Sequence, residues 1–116
     1  MFKIKRVYEA PDPSDGVRVL VDRLWPRGLS KDKAKVDLWL RDVAPSDTVR
    51  KWFAHDPKRW LEFRRKYRTE LQGKVAPLRT MRRLEQDHGT VTLLYAASDT
   101  TRNNAMVLAA LLTRRR

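Results

Sequence analysis

Two short apolar runs, each ending in a polar loop, limit what this chain can fold into. The first is Arg18-Val-Leu-Val-Asp-Arg-Leu-Trp-Pro-Arg-Gly28. Val19, Leu20 and Val21 have the character of a core strand, and Asp22, Arg23, Trp25, Pro26, Arg27 and Gly28 that of the edge of a site. The second is Val91-Thr-Leu-Leu-Tyr-Ala-Ala-Ser-Asp99, which runs into an apolar helical segment. A strand over 90–96 that is almost continuously apolar is expected to be buried on both faces, as in a parallel sheet. Two such strands leading into polar loops point to one shared pocket.

The remaining segments fill in the order of elements. Phe2, Ile4, Arg6 and Tyr8 alternate with Lys3, Lys5 and Val7, the pattern of a half-buried first strand. Prolines, aspartates and Gly16 make 9–16 a loop. The second strand is expected over 17–23. Ser30 can cap a short helical turn over 31–35, and 36–43 is either a third strand or irregular. Ser46 or Asp47 can cap a helix carrying Val49, Trp52 and Phe53 on one face. Pro57 then suits the first turn of a longer helix, with Trp60, Phe63, Tyr67 and Leu71 inward and Gly73 at its end. Val75, Leu78, Met81 and Leu84 are expected to face inward from the next helix, over 75–86, with Pro77 marking the start of the helix proper. Ser98 or Asp99 is expected to cap a last helix over 100–113, packed centrally because 105–112 is apolar nearly all round. Arg114, Arg115 and Arg116 form a basic tail beyond it. Strands and helices in this order favour an α/β fold, a small, mostly parallel sheet flanked by helices.

At 116 residues, one compact domain spanning 1–116 is expected, burying roughly 65% of the unfolded chain's surface. There is no cysteine, which excludes disulfides, thiolate metal sites and cysteine nucleophiles. The N-terminus has no apolar run after its basic residues, and no segment reaches the roughly 20 apolar residues of a membrane span. A cytoplasmic protein without membrane attachment is the expectation. The 26 basic residues exceed the 14 acidic ones, for a net charge of +12. Such a field attracts phosphates, nucleic acid or acidic surfaces, unless the charge is simply spread over a solvated surface.

The site chemistry follows from the strand ends. Ligands of open parallel sheets bind beyond the carboxyl ends of the strands. If the two apolar strands are parallel, loops 23–28 and 97–104 share one edge. A helix start there offers unpaired N–H groups to an anion, with Ser98, Thr100 and Thr101 adding hydroxyls and Arg23 and Arg27 a bidentate grip. Asp99 opposes this unless it faces away as a cap, and Asn103 can bond backbone. A single Gly28 makes no phosphate-loop motif. Asp22 needs a partner if buried: a structural ion pair with Arg18 or another arginine outweighs an acid–base role. His55 can act as a general base, but a helix-ending residue is the simpler reading. His88 belongs to a surface turn. No H-x-x-x-H spacing supports zinc, and no residue pattern names a cofactor. Trp52 and Trp60 belong to the core, while Trp25 can line a pocket or form a wall of the core.

The run from Arg18 to Gly28, with Arg50-Lys-Trp-Phe-Ala-His-Asp56 and Thr92-Leu-Leu-Tyr-Ala-Ala-Ser-Asp99 followed by Asn103 and Asn104, resembles the YeaO-like family of small bacterial proteins, within the broader domain of unknown function 488. The resemblance covers nearly the whole chain and implies one α/β domain. Its motifs fall on Asp22, Arg23, Trp25, Arg27, His55, Tyr95, Asp99 and Asn103. It supplies no reaction. More distant members carry a cysteine near the end of the last strand; here 95–98 reads Tyr-Ala-Ala-Ser, so thiol chemistry does not carry over. Three functions compete. One is a small anionic ligand at the strand ends, with Asp22 or His55 as proton-transfer candidates if it is an enzyme. Another is nucleic acid held by Lys58, Arg59, Arg65, Lys66, Arg68, Arg79, Arg82 and Arg83. The third is a partner-binding module without ligand. Oligomeric state is not readable from the sequence.

Overall fold

The strand β4 (Val91–Tyr95) is buried at every position, and the rest of the chain is arranged around it. In the computed structural model, which describes residues 1–114, β4 pairs in parallel with β1 (Phe2–Arg6) on one side and β2 (Val17–Leu20) on the other. The two-residue strand β3 (Leu38–Trp39) adds in parallel to β2, giving the order β1-β4-β2-β3. The mostly parallel sheet expected from the sequence is thus parallel at every pairing, and the fold is α/β in a single domain.

Side chains alternate across a strand, so the sheet has two different faces. Val19, Val21, Val91, Leu93 and Tyr95 enter the larger core. That core is closed by α2 (Asp47–Phe53), α3 (Trp60–Gln72), α4 (Val75–His88) and α5 (Asn104–Thr113). Phe53, Phe63 and Tyr67 stack in series within it, and the Tyr67 hydroxyl donates to the Val43 carbonyl. Leu20 and Leu94 face the other way, into a small core with Val7 and Ala34, flanked by Trp25 and Trp39. Burying each large apolar side chain contributes about 1.5–3 kcal/mol.

The smaller face also holds charge. Arg18 and Thr92 share parity with Leu20 and Leu94, and both are buried. The connection 7–16 crosses this face with only a 3-10 turn at Pro13–Asp15. Asp15 accepts from Lys5 at 3.2 Å and from Arg18, while Thr92 donates to its carbonyl at 2.7 Å. Burial disfavours the ionised Asp15, but the Asp12 N–H, Lys5 and Arg18 outweigh it and hold its carboxyl below the ordinary range. Arg18 also donates to the carbonyls of Ala34 and Lys35, at 2.8 and 3.0 Å, closing the end of α1 (Lys31–Ala34). Gly16 is fixed by contact as well as by its φ of 63°: a Cβ there would lie 2.2 Å from the Thr90 carbonyl oxygen.

Several expected boundaries move. The Ser30 and Ser46 caps stand, accepting from Lys33 N–H and Val49 N–H. Residues 36–43 divide into the short β3 and a 3-10 turn at Arg41–Val43. β2 stops at Leu20, although Val21 still donates to the Leu94 carbonyl at 3.1 Å. The helix α4 starts at Val75, so Pro77 lies inside its first turn. Val75 itself is 59% exposed rather than inward. A three-residue spacing falls behind the helix by about 60° at each step, so Val75 and Leu84 lie about 180° apart. The helix α5 begins at Asn104, not near Thr100. Of the expected basic tail, Arg115 and Arg116 lie outside the described residues. Among the described residues no helix is long and apolar enough to cross a membrane.

Candidate functional site

Parallel pairing of β2 and β4 brings their carboxyl ends side by side, and Asp22 follows directly. Its Oδ2 accepts from the Ala96 N–H at 2.9 Å and its Oδ1 from Asn104 Nδ2 at 3.0 Å. Asn104 Nδ2 also donates to the Val21 carbonyl at 3.1 Å. Asp22 therefore clamps the end of β2 to the end of β4 and to the first residue of α5. The expected ion pair with Arg18 is absent: Arg18 is committed to Asp15, and the donors at Asp22 are neutral. Burial raises the Asp22 pKa, opposed by the two hydrogen bonds and by the nearby His55. His55 is exposed, with φ at 57°, just past the end of α2. Its ring lies 5.9 Å from that of Phe53.

Arg23 and Arg27 do not form one grip. Arg23 Nε donates to the Pro45 carbonyl at 3.1 Å and lies 3.8 Å from Asp47, tying the loop to the start of α2. Arg27 is exposed, and its carbonyl accepts the Tyr8 hydroxyl at 2.8 Å. Trp25 donates to the Leu29 carbonyl at 2.7 Å and meets Trp39 edge-on at 5.5 Å. It is a wall of the small core, on the face away from the helices α2 to α5.

The loop after β4 is organised by its own side chains. Asp99 Oδ1 accepts from the backbone N–H groups of Thr101 and Arg102, at 2.9 and 3.0 Å. Those bonds hold the Asp99 carboxyl down at about 2. Asn103 is buried, accepts from the Met106 N–H at 2.9 Å and donates to the Asp99 carbonyl at 3.0 Å. The cap of α5 is therefore Asn103, and neither Ser98 nor Asp99. The N–H groups of Thr101, Arg102 and Met106 already have protein acceptors, while Thr100 stays exposed. Tyr95 is buried in the larger core, and burial pushes its hydroxyl pKa up. Arg6 crosses over the loop to donate to the carbonyls of Ala97 and Ala96, at 2.8 and 3.1 Å. Asp22, Asn103 and Asn104 are thus brought together at the helix start, whereas Trp25 and Arg27 are not part of that cluster.

A cavity lies next to this loop, between α3 and α5. A groove of about 340 Å³ has Trp60, Val107, Ala110 and Leu111 as its apolar floor, with Arg64, Arg68 and Arg114 at its rim. Thr101 reaches it from the loop after β4. Among the described residues no acidic side chain pairs with Arg64 or Arg68, whereas Arg65 is held by Glu62 and Arg59 by Asp56. Arg64 did not emerge from the sequence as a site residue. The available signal was its four-residue spacing from Arg68, which puts both on one flank of α3.

The comparisons with known proteins extend over nearly the full chain. It is 45% identical over 113 residues to the uncharacterized protein Rv3073c of Mycobacterium tuberculosis, covering 97% of this chain and 94% of that one. The uncharacterized protein Mb3100c of Mycobacterium bovis gives the same figures. The uncharacterized protein YeaO of Escherichia coli is 40% identical over 108 residues, 93% of each chain. No solved structure gives a significant match. The resemblance carried by the strand-end motifs is borne out: the model of the family described as the inactive DUF488-N3 subclade matches residues 1–116, and this chain belongs to that family.

Proposed function

We propose that this protein binds an anionic ligand without transforming it, and that the binding site is the groove between α3 and α5. The observation that carries this reading is the pairing of unneutralised guanidinium groups, Arg64 and Arg68, with an apolar floor in a groove of about 340 Å³. Ligand sites of this size are typically apolar with a few converging polar groups, and arginine matches carboxylate and phosphate with two parallel hydrogen bonds. The reading keeps the anionic ligand expected from the sequence but moves its grip from Arg23 and Arg27 to α3. Arg23 is already bonded to Pro45 and Asp47, and the loop N–H groups already serve Asp99 and Asn103.

Binding without turnover is supported by the word "inactive" in the family's description and by the bonding of Asp22. Each Asp22 oxygen accepts a hydrogen bond, from Ala96 and from Asn104, so the carboxylate serves to join β2, β4 and α5. The test is a thermal-shift screen with organic phosphates, sulfate and aryl carboxylates. A ligand at about 100 times its dissociation constant stabilises by about 2.7 kcal/mol. The wild-type protein is expected to respond and the Arg64→Ala/Arg68→Ala variant is not. An equal response from both would remove the groove from consideration.

A further inference from the structure

We infer that the ligand of this groove is a stretch of single-stranded nucleic acid, an inference that rests on the anion-binding reading above. The groove is one of two adjoining depressions. The second, about 330 Å³, runs along the outer side of α3 and is lined by Leu61, Arg65, Thr69 and Gln72. Arg64 and Arg68 line both, so the two arginines form the divide between them. The two depressions flank this divide, and their linings overlap along α3, from Trp60 to Arg68 and from Leu61 to Gln72. A compact anion fills one depression and leaves the other empty. A linear molecule with regularly spaced charges uses both, with Arg64 and Arg68 on a phosphate at the centre.

Each depression also sets apolar side chains beside guanidinium groups, several in the first and one in the second. In the first these are Trp60 and Leu111 beside Arg64, Arg68 and Arg114; in the second it is Leu61, 73% exposed, beside Arg64 and Arg68, with Arg65 shared with Glu62. A nucleotide has the matching construction, a flat apolar ring face linked to a phosphate. Duplexes hide those ring faces in the stack, so a duplex leaves Trp60, Leu111 and Leu61 uncovered. The net charge of +12 adds the long-range attraction that a polyanion exploits more than a single anion does.

The experiment is fluorescence anisotropy with labelled short oligothymidylate and oligouridylate, across a salt series, with thymidine monophosphate and a duplex of equal length as competitors. Single strands are expected to bind with a log–log salt slope of about −2 to −3, from three to four phosphates at about 0.7 each. Arg64→Ala/Arg68→Ala is expected to weaken this by about tenfold or more with an unchanged melting temperature. Arg65→Ala/Gln72→Ala, confined to the second depression, should weaken the oligonucleotide and spare the monophosphate. Equal affinity for monophosphate and oligonucleotide would overturn the polymer while leaving the anion site standing. No binding of either would remove both. Equal competition by duplex, or binding lost only in Arg79→Ala/Arg82→Ala/Arg83→Ala on α4, would overturn this surface.

Discussion

Asp22 shows how one residue can look catalytic and be structural. Its carboxylate faces two donors, the Ala96 N–H and the Asn104 amide. Asparagine offers one acceptor and one donor group, so Asp22→Asn sets an NH2 against one of those donors. We expect a loss of about 1–3 kcal/mol in chemical denaturation. Adding Asn104→Asp should recover part of it by reversing the polarity of that bond, although the bond to Val21 stays lost. A further loss in the double variant would show that Asp22 does not act through Asn104. The pH dependence has a definite sign. Burial raises the folded pKa of Asp22 above its unfolded value, so the folded state binds the proton more tightly. Ionised Asp22 costs stability at neutral pH, and the cost disappears as the pH falls through the folded pKa to the ordinary carboxylate range. The deficit of Asp22→Asn should therefore widen on acidification. Need for a partner at Asp22 was legible in the sequence; the partners were not, because Ala96 and Asn104 arrive from the far end of the chain.

At the scale of elements, local signals are legible in the sequence and distant ones are not. Ser30 and Ser46 cap helices because the bond from a hydroxyl to an N–H three residues on is a local event. The apolar character of 91–95 likewise sufficed to make β4 a strand buried on both faces. The start of α5 differs from the expectation because Asp99 has the right chemistry for a cap, and it does collect two N–H groups. It does so in a turn that precedes the helix, and Asn103 takes over the cap. Asn103→Ala should cost about 0.5–2 kcal/mol, more if the buried site is left unpaired, while Ser98→Ala should cost almost nothing. Equal effects in thermal melts would contradict this assignment. The groove was invisible for a different reason. It exists only where α3 lies against α5, and nothing within either segment announces the other.

For the molecule as a whole, the excess of positive charge is the dominant long-range term. Among the described residues half of the ion pairs are local and exposed, as in Asp47–Arg50 and Glu62–Arg65, and exposed pairs contribute little. Self-repulsion among the remaining cations opposes the compact state. Raising sodium chloride from about 0.02 M to about 0.3 M shortens the screening length severalfold, and the melting temperature is expected to rise. A fall would mean that the pairs, and above all the buried Asp15–Arg18 cluster, outweigh the repulsion. The size of this charge imbalance is legible in the sequence; its distribution is not, because it depends on how α3 and α4 are turned relative to the core.

The strand order has a consequence in time. β1 and β2 share no hydrogen bonds with each other; each pairs with β4, which lies between them. During synthesis the first two strands emerge long before the strand that joins them. β1 has no strand to pair with, and β2 only the two-residue β3, until residues 91–95 have been made. Contacts between such distant parts require a large loop to close before they stabilise anything, which slows folding. A growing chain of this protein thus passes most of its synthesis with the apolar faces of Val19, Leu20 and Val21 uncovered, and it reaches its native sheet in one late step.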